Sequence, residues 1–212
     1  MKTLDIQHTL KSLGYNPGPL DGIDGPKTQA ALALYNRQNR TPLHRAQPLP
    51  WMREITSVFG MHEVRDNVAL SRWLRSDGRF LGDPAQLPWC GDAIDTAFRL
   101  TLTKEVLPPK LEENPYWARH WSEFGQACPP VFGAVVTFSR GSGGHVGFLI
   151  GVSRDGKLLR VRGGNQSDMV TDSWIGAHRL LASRWPSSVS TRLQKPAPVL
   201  DYDGGFVSTN EA

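Results

Sequence analysis

Apolar positions in the first forty residues recur at helical spacing. Ile6, Leu10 and Leu13 fall at i, i+4 and i+7, and Thr3 stands where a helix cap belongs. Gly14 ends that stripe, and residues 15–25 are dense in turn formers. Pro26 suits a first helical position, and Thr28, Ala31, Leu32 and Tyr35 make a second stripe. Two helices of about a dozen residues bury little core alone, so this unit is expected to pack against the rest of the chain. Residues 41–50 carry three prolines and no period, which predicts a linker. Helical patterns return around 51–62 and 66–75, from Cys90 onward, and in a short aromatic stretch near 115–124. Strand-like alternation then marks Gly133–Phe138, Gly144–Val152, Lys157–Arg162 and His178–Trp185. Helices first and strands after, joined by short connections, predict an α+β fold with an antiparallel sheet. The chain thus divides into an all-α unit (1–40), a linker (41–50), a main domain (51–186) and a tail (187–212) expected to be mostly extended or disordered.

Composition narrows the function classes. The longest nearly apolar run, Val146 to Val152, is far short of the ~20 residues of a membrane helix. No apolar stretch follows the basic start, so no secretory signal is expected. A net charge of +4 over 212 residues draws anions only weakly, and no nucleic-acid partner is expected. No His-Glu-x-x-His or paired-cysteine spacing occurs, so neither a metal nor a cofactor is expected. A monomer is expected. The two cysteines, Cys90 and Cys128, make no disulfide framework, which leaves room for a working thiol.

Cys90 leads a helix whose apolar face continues through Ala93, Ile94, Ala97 and Phe98. Unpaired N–H groups and the positive end of the helix dipole there favour a thiolate and can serve an oxyanion. Asp92 in the same turn works the other way, so a basic partner is needed. Cys128, before two prolines, has no such setting. Among six histidines, His145 opens the strand Gly-Gly-His-Val-Gly-Phe-Leu-Ile-Gly-Val. Period two puts His145, Gly147, Leu149 and Gly151 on one shallow face, across which the Cys90 helix is expected to lie. The next strand ends in Gly163-Gly164-Asn165-Gln166 and would neighbour it in a meander. Asn165 is the expected orienter of the imidazole, with Gln166 the alternative and Asp168 a distant third.

Two family resemblances follow. "LKSLGYNPGPLDGIDGPKTQAALALYNRQN", residues 10–39, resembles a peptidoglycan-binding domain through Leu-Gly-Tyr, Asp-Gly-x-x-Gly-Pro-x-Thr and a closing aromatic helix. The family's third helix is replaced here by the linker. "PWCGDAIDTAF", "GAVVTFSRGSGGHVGFLIG", "VRGGNQSDMV" and "RLLASRWP" resemble the CHAP and NlpC-type cysteine peptidase and amidase superfamily, in a branch common in phage endolysins. Where that family often has Gly-Asp, Gly133-Ala134 stands here. The resemblance implies a papain-like fold that cuts amide bonds in peptidoglycan. It implies Cys90 as nucleophile, His145 as base and Asn165 as orienter, with peptidoglycan as partner. It also implies synthesis in the cytoplasm and action on the wall after holin-type release or secretion. A wall-binding protein without catalysis, or a secreted effector with the same chemistry, are the alternatives.

Overall fold

The computed structural model describes residues 3–12, 14–38, 49–202, 204 and 207–209. Leu13 and residues 41–48 of the expected linker lie outside them. Helices α1 (Thr3–Ser12) and α2 (Pro26–Gln38) form the N-terminal unit. Its centre is polar as well as apolar. The buried Gln7 amide donates to Asp21 Oδ1 (3.0 Å), the Ile23 carbonyl (2.9 Å) and Thr28 Oγ1 (3.1 Å), and its oxygen accepts from Gly22 N–H (2.8 Å). Thr28 in turn donates to the Pro17 carbonyl. The Asp-Gly-x-x-Gly-Pro-x-Thr motif is therefore a loop knitted to α1 through one glutamine. Leu10 and Ala31 are buried beneath it, with Leu200 from the far end of the chain packed alongside.

The unit does rest on the rest of the protein. Helix α1 contacts α3 (Pro50–Ser57), and His8 meets the Phe59 ring edge-on at 5.9 Å. Helices α4 (Asn67–Leu74), α5 (Cys90–Thr101) and α6 (Pro109–Glu113) follow, then a 3-10 segment at Ala118–Glu123. The strands are β1 (Gln126–Ala127), β2 (Val135–Arg140), β3 (Gly143–Ser153), β4 (Leu158–Gln166), β5 (Met169–Gly176), β6 (Leu180–Trp185), β7 (Val199–Leu200) and β8 (Val207–Ser208). They join in the order β1-β6-β2-β3-β4-β5-β8, with β7 beside β3. Strands β2, β3 and β4 form the expected antiparallel meander, and β5 extends it. The fold is α+β, its early helices packed on a later sheet.

Helix α5 is buried from Cys90 through Phe98. Phe98 is the hub of an aromatic core, with ring centroids 4.8–5.9 Å from Phe124, Phe148, Trp51 and Trp121. The indole N–H groups buried here find carbonyls: Trp51 at Gly133 and Trp121 at Pro115, both 2.8 Å. Such pairing removes the cost of burying a polar tip.

Three expectations need correction. Residues 169–176, assigned no strand, form β5, whose alternation is masked by polar Thr171, Asp172 and Ser173. The tail is not simply extended or disordered. Strand β7 pairs in parallel with β3, past the point where β2 ends, and β8 pairs with β5. Helix α5 does not lie on the glycine face of β3. Val146, Phe148 and Ile150 share its core, whereas Leu149 belongs to a second core on the reverse face. The glycine face is covered by Val161 at Gly147 and by Leu200 at Gly151. Bulky apolar residues bury more area against a helix than glycines do.

Asp172 explains part of the masked alternation in β5. Its carboxylate accepts from Arg162 Nε (2.8 Å) and Nη2 (3.1 Å), and both side chains are almost fully buried. Arg162 Nη1 also donates to Thr56 Oγ1 on α3 (2.6 Å), and its guanidinium sits over Phe59. Removing one partner strands a buried charge. Asp172→Ala is expected to destabilise by about 3–5 kcal/mol. The double variant Arg162→Met/Asp172→Leu should recover most of that. Urea unfolding of the three proteins checks it, and equal midpoints for Asp172→Ala and wild type would refute it.

Candidate active site

Cys90 is the first residue of α5 and is 3% exposed. Its neighbours hold the helix start in place. A side chain at Gly91 would lie 2.4 Å from the Pro115 carbonyl oxygen, so this turn packs directly on main chain. The Trp89 ring lies on Gly164 of β4, and its N–H donates to Glu63 Oε2 (2.8 Å). The sulfur faces the main chain of Val146, the residue after His145. Burial pushes the Cys90 thiol above its ordinary pKa, and this outweighs the Val146 N–H, the Arg140 charge and the N–H groups of the helix start. The expected lowering at a helix N-terminus is therefore overturned: burial wins over the dipole.

His145 is fully buried on β3. Its Nε2 lies 3.0 Å from Gln166 Oε1. The amide nitrogen of Gln166 donates to the Val161 carbonyl (3.2 Å) and to the Thr171 carbonyl. With two carbonyls on the nitrogen, the amide oxygen must face the ring, where it accepts from Nε2–H. The network thus selects the tautomer whose proton is on Nε2 and whose lone pair is on Nδ1.

The ring's partner is Gln166, not Asn165. The pairing of β4 with β5 shifts register between Gly163 and Gln166, and Asn165 has φ 54° in the left-handed region. That bulge carries the chain one residue further before a side chain reaches His145. Asp168 is not at the ring either, and its carbonyl accepts from Glu63 N–H. Cys128 is half-buried 3.5 Å from Ser183 Oγ, away from this constellation. Arg140, whose charge reaches Cys90, was missed from sequence. Its place before the Gly141-Ser142 turn of the hairpin that delivers His145 was the available signal.

Helix α5 buries two carboxyls of its own, Asp92 and Asp95. Asp92 accepts from Leu81 N–H (3.4 Å), and its other oxygen is buried with no partner among the described residues. Burial first, then repulsion from Asp77 and Asp95, raises it to about 7. Asp95 is raised by burial to about 6 although Arg99 Nε lies 3.0 Å from both its oxygens. Among the described residues, no group of three or more His, Cys, Asp or Glu side chains could hold a metal ion. No helix there is long and apolar enough to cross a membrane.

Residues 3–42 match the family model PG_binding_1, a peptidoglycan binding domain. No curated protein and no solved structure matches the chain. The N-terminal unit is thus similar to a peptidoglycan-binding domain, which fits association with the cell wall.

The buried acids give a pH dependence of definite sign. Asp92 holds its proton to about 7 when folded and releases it near 3.8 when unfolded. The folded state therefore binds more protons across that interval, and stability falls as pH rises from about 4 to 7. The loss is bounded by about 4 kcal/mol, and Asp95 adds to it in the same direction. Asp92→Asn should flatten most of the slope and stabilise the protein at pH 8. Melting curves from pH 4.5 to 8.5 check this, and a wild-type stability that climbs across that range contradicts it.

Proposed function

We propose that the main domain is a papain-like cysteine amidohydrolase of the CHAP/NlpC kind that cuts an amide bond of peptidoglycan. The observation that carries this is the imidazole of His145. It is held in one tautomer by Gln166, on the strand whose next residue faces the Cys90 sulfur. The peptidoglycan-binding unit supplies independent support for the substrate.

The chemistry follows from which atoms are engaged. Because Nε2 donates to Gln166, proton exchange with the thiol falls to Nδ1. Cys90 rests as a thiol because it is buried, so His145 acts as general base during attack. The S–H proton passes to Nδ1 as sulfur bonds the amide carbon. N–H groups of the first α5 turn, which have no intrahelical acceptor, stabilise the oxyanion. The imidazolium then protonates the leaving nitrogen, the C–N bond breaks and a thioester remains. Water gives a proton to Nδ1 and attacks the thioester, and the thiol is re-formed with release of the acid. The bond cut is the N-acetylmuramoyl-L-alanine bond or one within the stem peptide. An endolysin-like role, with release from the cytoplasm by a holin or by secretion, fits the same chemistry.

One observation favours a second reading, a wall-binding protein without catalysis: Cys90 is almost wholly covered. Digestion of purified peptidoglycan separates the two. New N-terminal alanine, read by mass spectrometry, means an amidase. A new diaminopimelate or D-alanine amine means an endopeptidase. No cleavage by folded protein refutes the hydrolase.

Variants test the assignment within the site. Cys90→Ser should lose essentially all cleavage with its fold intact, and Cys128→Ser should keep most of it. Gln166→Ala frees the ring and lets the tautomer change, so turnover should drop by about 10–100-fold, less than for Cys90→Ser. Asn165→Ala should stay near wild type. Kinetics with a melting curve for each variant decide, and a crippled Asn165→Ala beside an active Gln166→Ala reverses the order of these two residues.

A further inference from the structure

Of the seven tryptophans in the chain, six are buried and engaged. Trp51, Trp73, Trp89, Trp121 and Trp185 each donate their indole N–H to a protein acceptor, and Trp174 meets the Arg160 guanidinium and the Tyr202 ring. Trp117 departs from this pattern. It is 46% exposed, and among the described residues its N–H has no acceptor and its ring no aromatic or cationic partner. An indole left in water forgoes both its hydrophobic and its hydrogen-bonding gain. Singly exposed apolar side chains are ordinary on a protein surface, so position decides what this one means.

The position follows from packing on either side of it. A Cβ placed on Gly91 would lie 2.4 Å from the Pro115 carbonyl oxygen and 2.7 Å from that of Tyr116. A Cβ on Gly144 would lie 2.9 Å from Arg119 Cγ and 3.5 Å from the Ala118 methyl. Residues 115–116 therefore rest on the residue after Cys90, and residues 118–119 on the residue before His145. Trp117 spans the step between them, at the rim of the candidate active site. Its backbone is pinned there. Its N–H donates to Asn114 Oδ1 (3.3 Å), its carbonyl accepts from His120 N–H (2.9 Å), and the Trp121 indole donates to the Pro115 carbonyl (2.8 Å). Arg119 ties the same segment to the β2–β3 hairpin through the Gly143 (2.6 Å) and Gly141 (3.1 Å) carbonyls. The ring thus stands on a fixed support, and little main-chain order has to be gained when a ligand stacks on it.

We propose that Trp117 is a saccharide platform, a subsite beside the Cys90 and His145 elements on which a sugar ring of the glycan strand stacks. The choice of sugar over peptide follows from chemistry. The face of an indole carries the negative part of its quadrupole and attracts polarised C–H groups, and a pyranose offers a flat C–H face of matching size. The alanine, acidic and diamino side chains of stem peptides offer none. The unpartnered indole N–H can donate to a sugar hydroxyl or an N-acetyl carbonyl. Naming a wall sugar rests on the hydrolase reading above, whereas the stacking is tested apart from cleavage.

Iodide quenching isolates the ring, because Trp117 is the one exposed tryptophan of the seven and residues 1–40 contain none. On the full-length protein, the disaccharide of N-acetylglucosamine and N-acetylmuramic acid, which has no peptide to cut, should shield Trp117 from iodide. The free stem peptide should not. Trp117→Phe should remove the quenchable signal. On soluble disaccharide-peptides, Trp117→Ala should raise KM about three- to tenfold, with kcat and the melting curve near wild type, and Trp117→Phe should recover part of the loss. The quenching experiment uses the unsubstituted protein, so it decides even if Trp117→Ala unfolds. Shielding by the free peptide alone, or by neither ligand, overturns the platform. Cys90-dependent wall cleavage with no shielding and an unchanged KM would sink the platform and leave the hydrolase standing. Shielding by the disaccharide without any cleavage would do the reverse.

Discussion

The site depends on one side-chain amide. Gln166 closes three interactions at once: two donated bonds to carbonyls of β4 and β5, and one accepted from His145. Each constrains the others. The carbonyls orient the amide, the amide orients the ring, and the ring's tautomer follows. His145 and Gln166 are themselves at zero exposure, where an unmade bond is costly and a made one resists exchange with water. The bulge in β4 is the structural condition for it. Without the register shift between Gly163 and Gln166, the glutamine would not arrive at the ring.

Burial creates the opposite tension at α5. The helix is sunk in the core along its first nine residues, which positions Cys90 rigidly but raises its thiol pKa and buries the helix's own Asp92 and Asp95. A site built this way trades ground-state ionisation for geometry. In the proposed hydrolase the nucleophile would depend on a base at the moment of attack, so the tautomer set by Gln166 would matter more than beside a preformed thiolate. The positive charge of Arg140 is a side-chain influence on Cys90 that works against burial.

Much of this was legible in residues alone, and the failures have physical causes. The Cys90 helix and the His145 strand were visible because apolar period survives in both. Strand β5 was hidden because Asp172 is polar yet buried, satisfied by Arg162 across the sheet, and single-chain periodicity does not reveal such a partner. The choice between Asn165 and Gln166 turned on a bulge, and neither residue type announces one. The packing face of β3 was misjudged because glycines beside a histidine suggest close approach. They do permit it, but to Val161 and Leu200 rather than to a helix. Gln7 escaped notice because a glutamine in an amphipathic helix ordinarily faces water, and only the loop folded over it makes it central.

The N-terminal unit is braced against the domain it accompanies. His8 on α1 meets Phe59, Phe59 lies under the Arg162 guanidinium, and Arg162 belongs to β4, the strand that ends in Gln166. Arg162 also holds α3 through Thr56, and α3 is the helix that α1 packs against. At the chain's other end, Leu200 of β7 covers Gly151 on β3 and packs with the Leu10 and Ala31 cluster. Contacts of this kind are not by themselves a coupling between two sites. They do restrict geometry. A unit tethered only by a linker samples all orientations and contributes effective concentration alone. A unit seated on α3 and β7 also has a fixed direction toward the hairpin carrying His145.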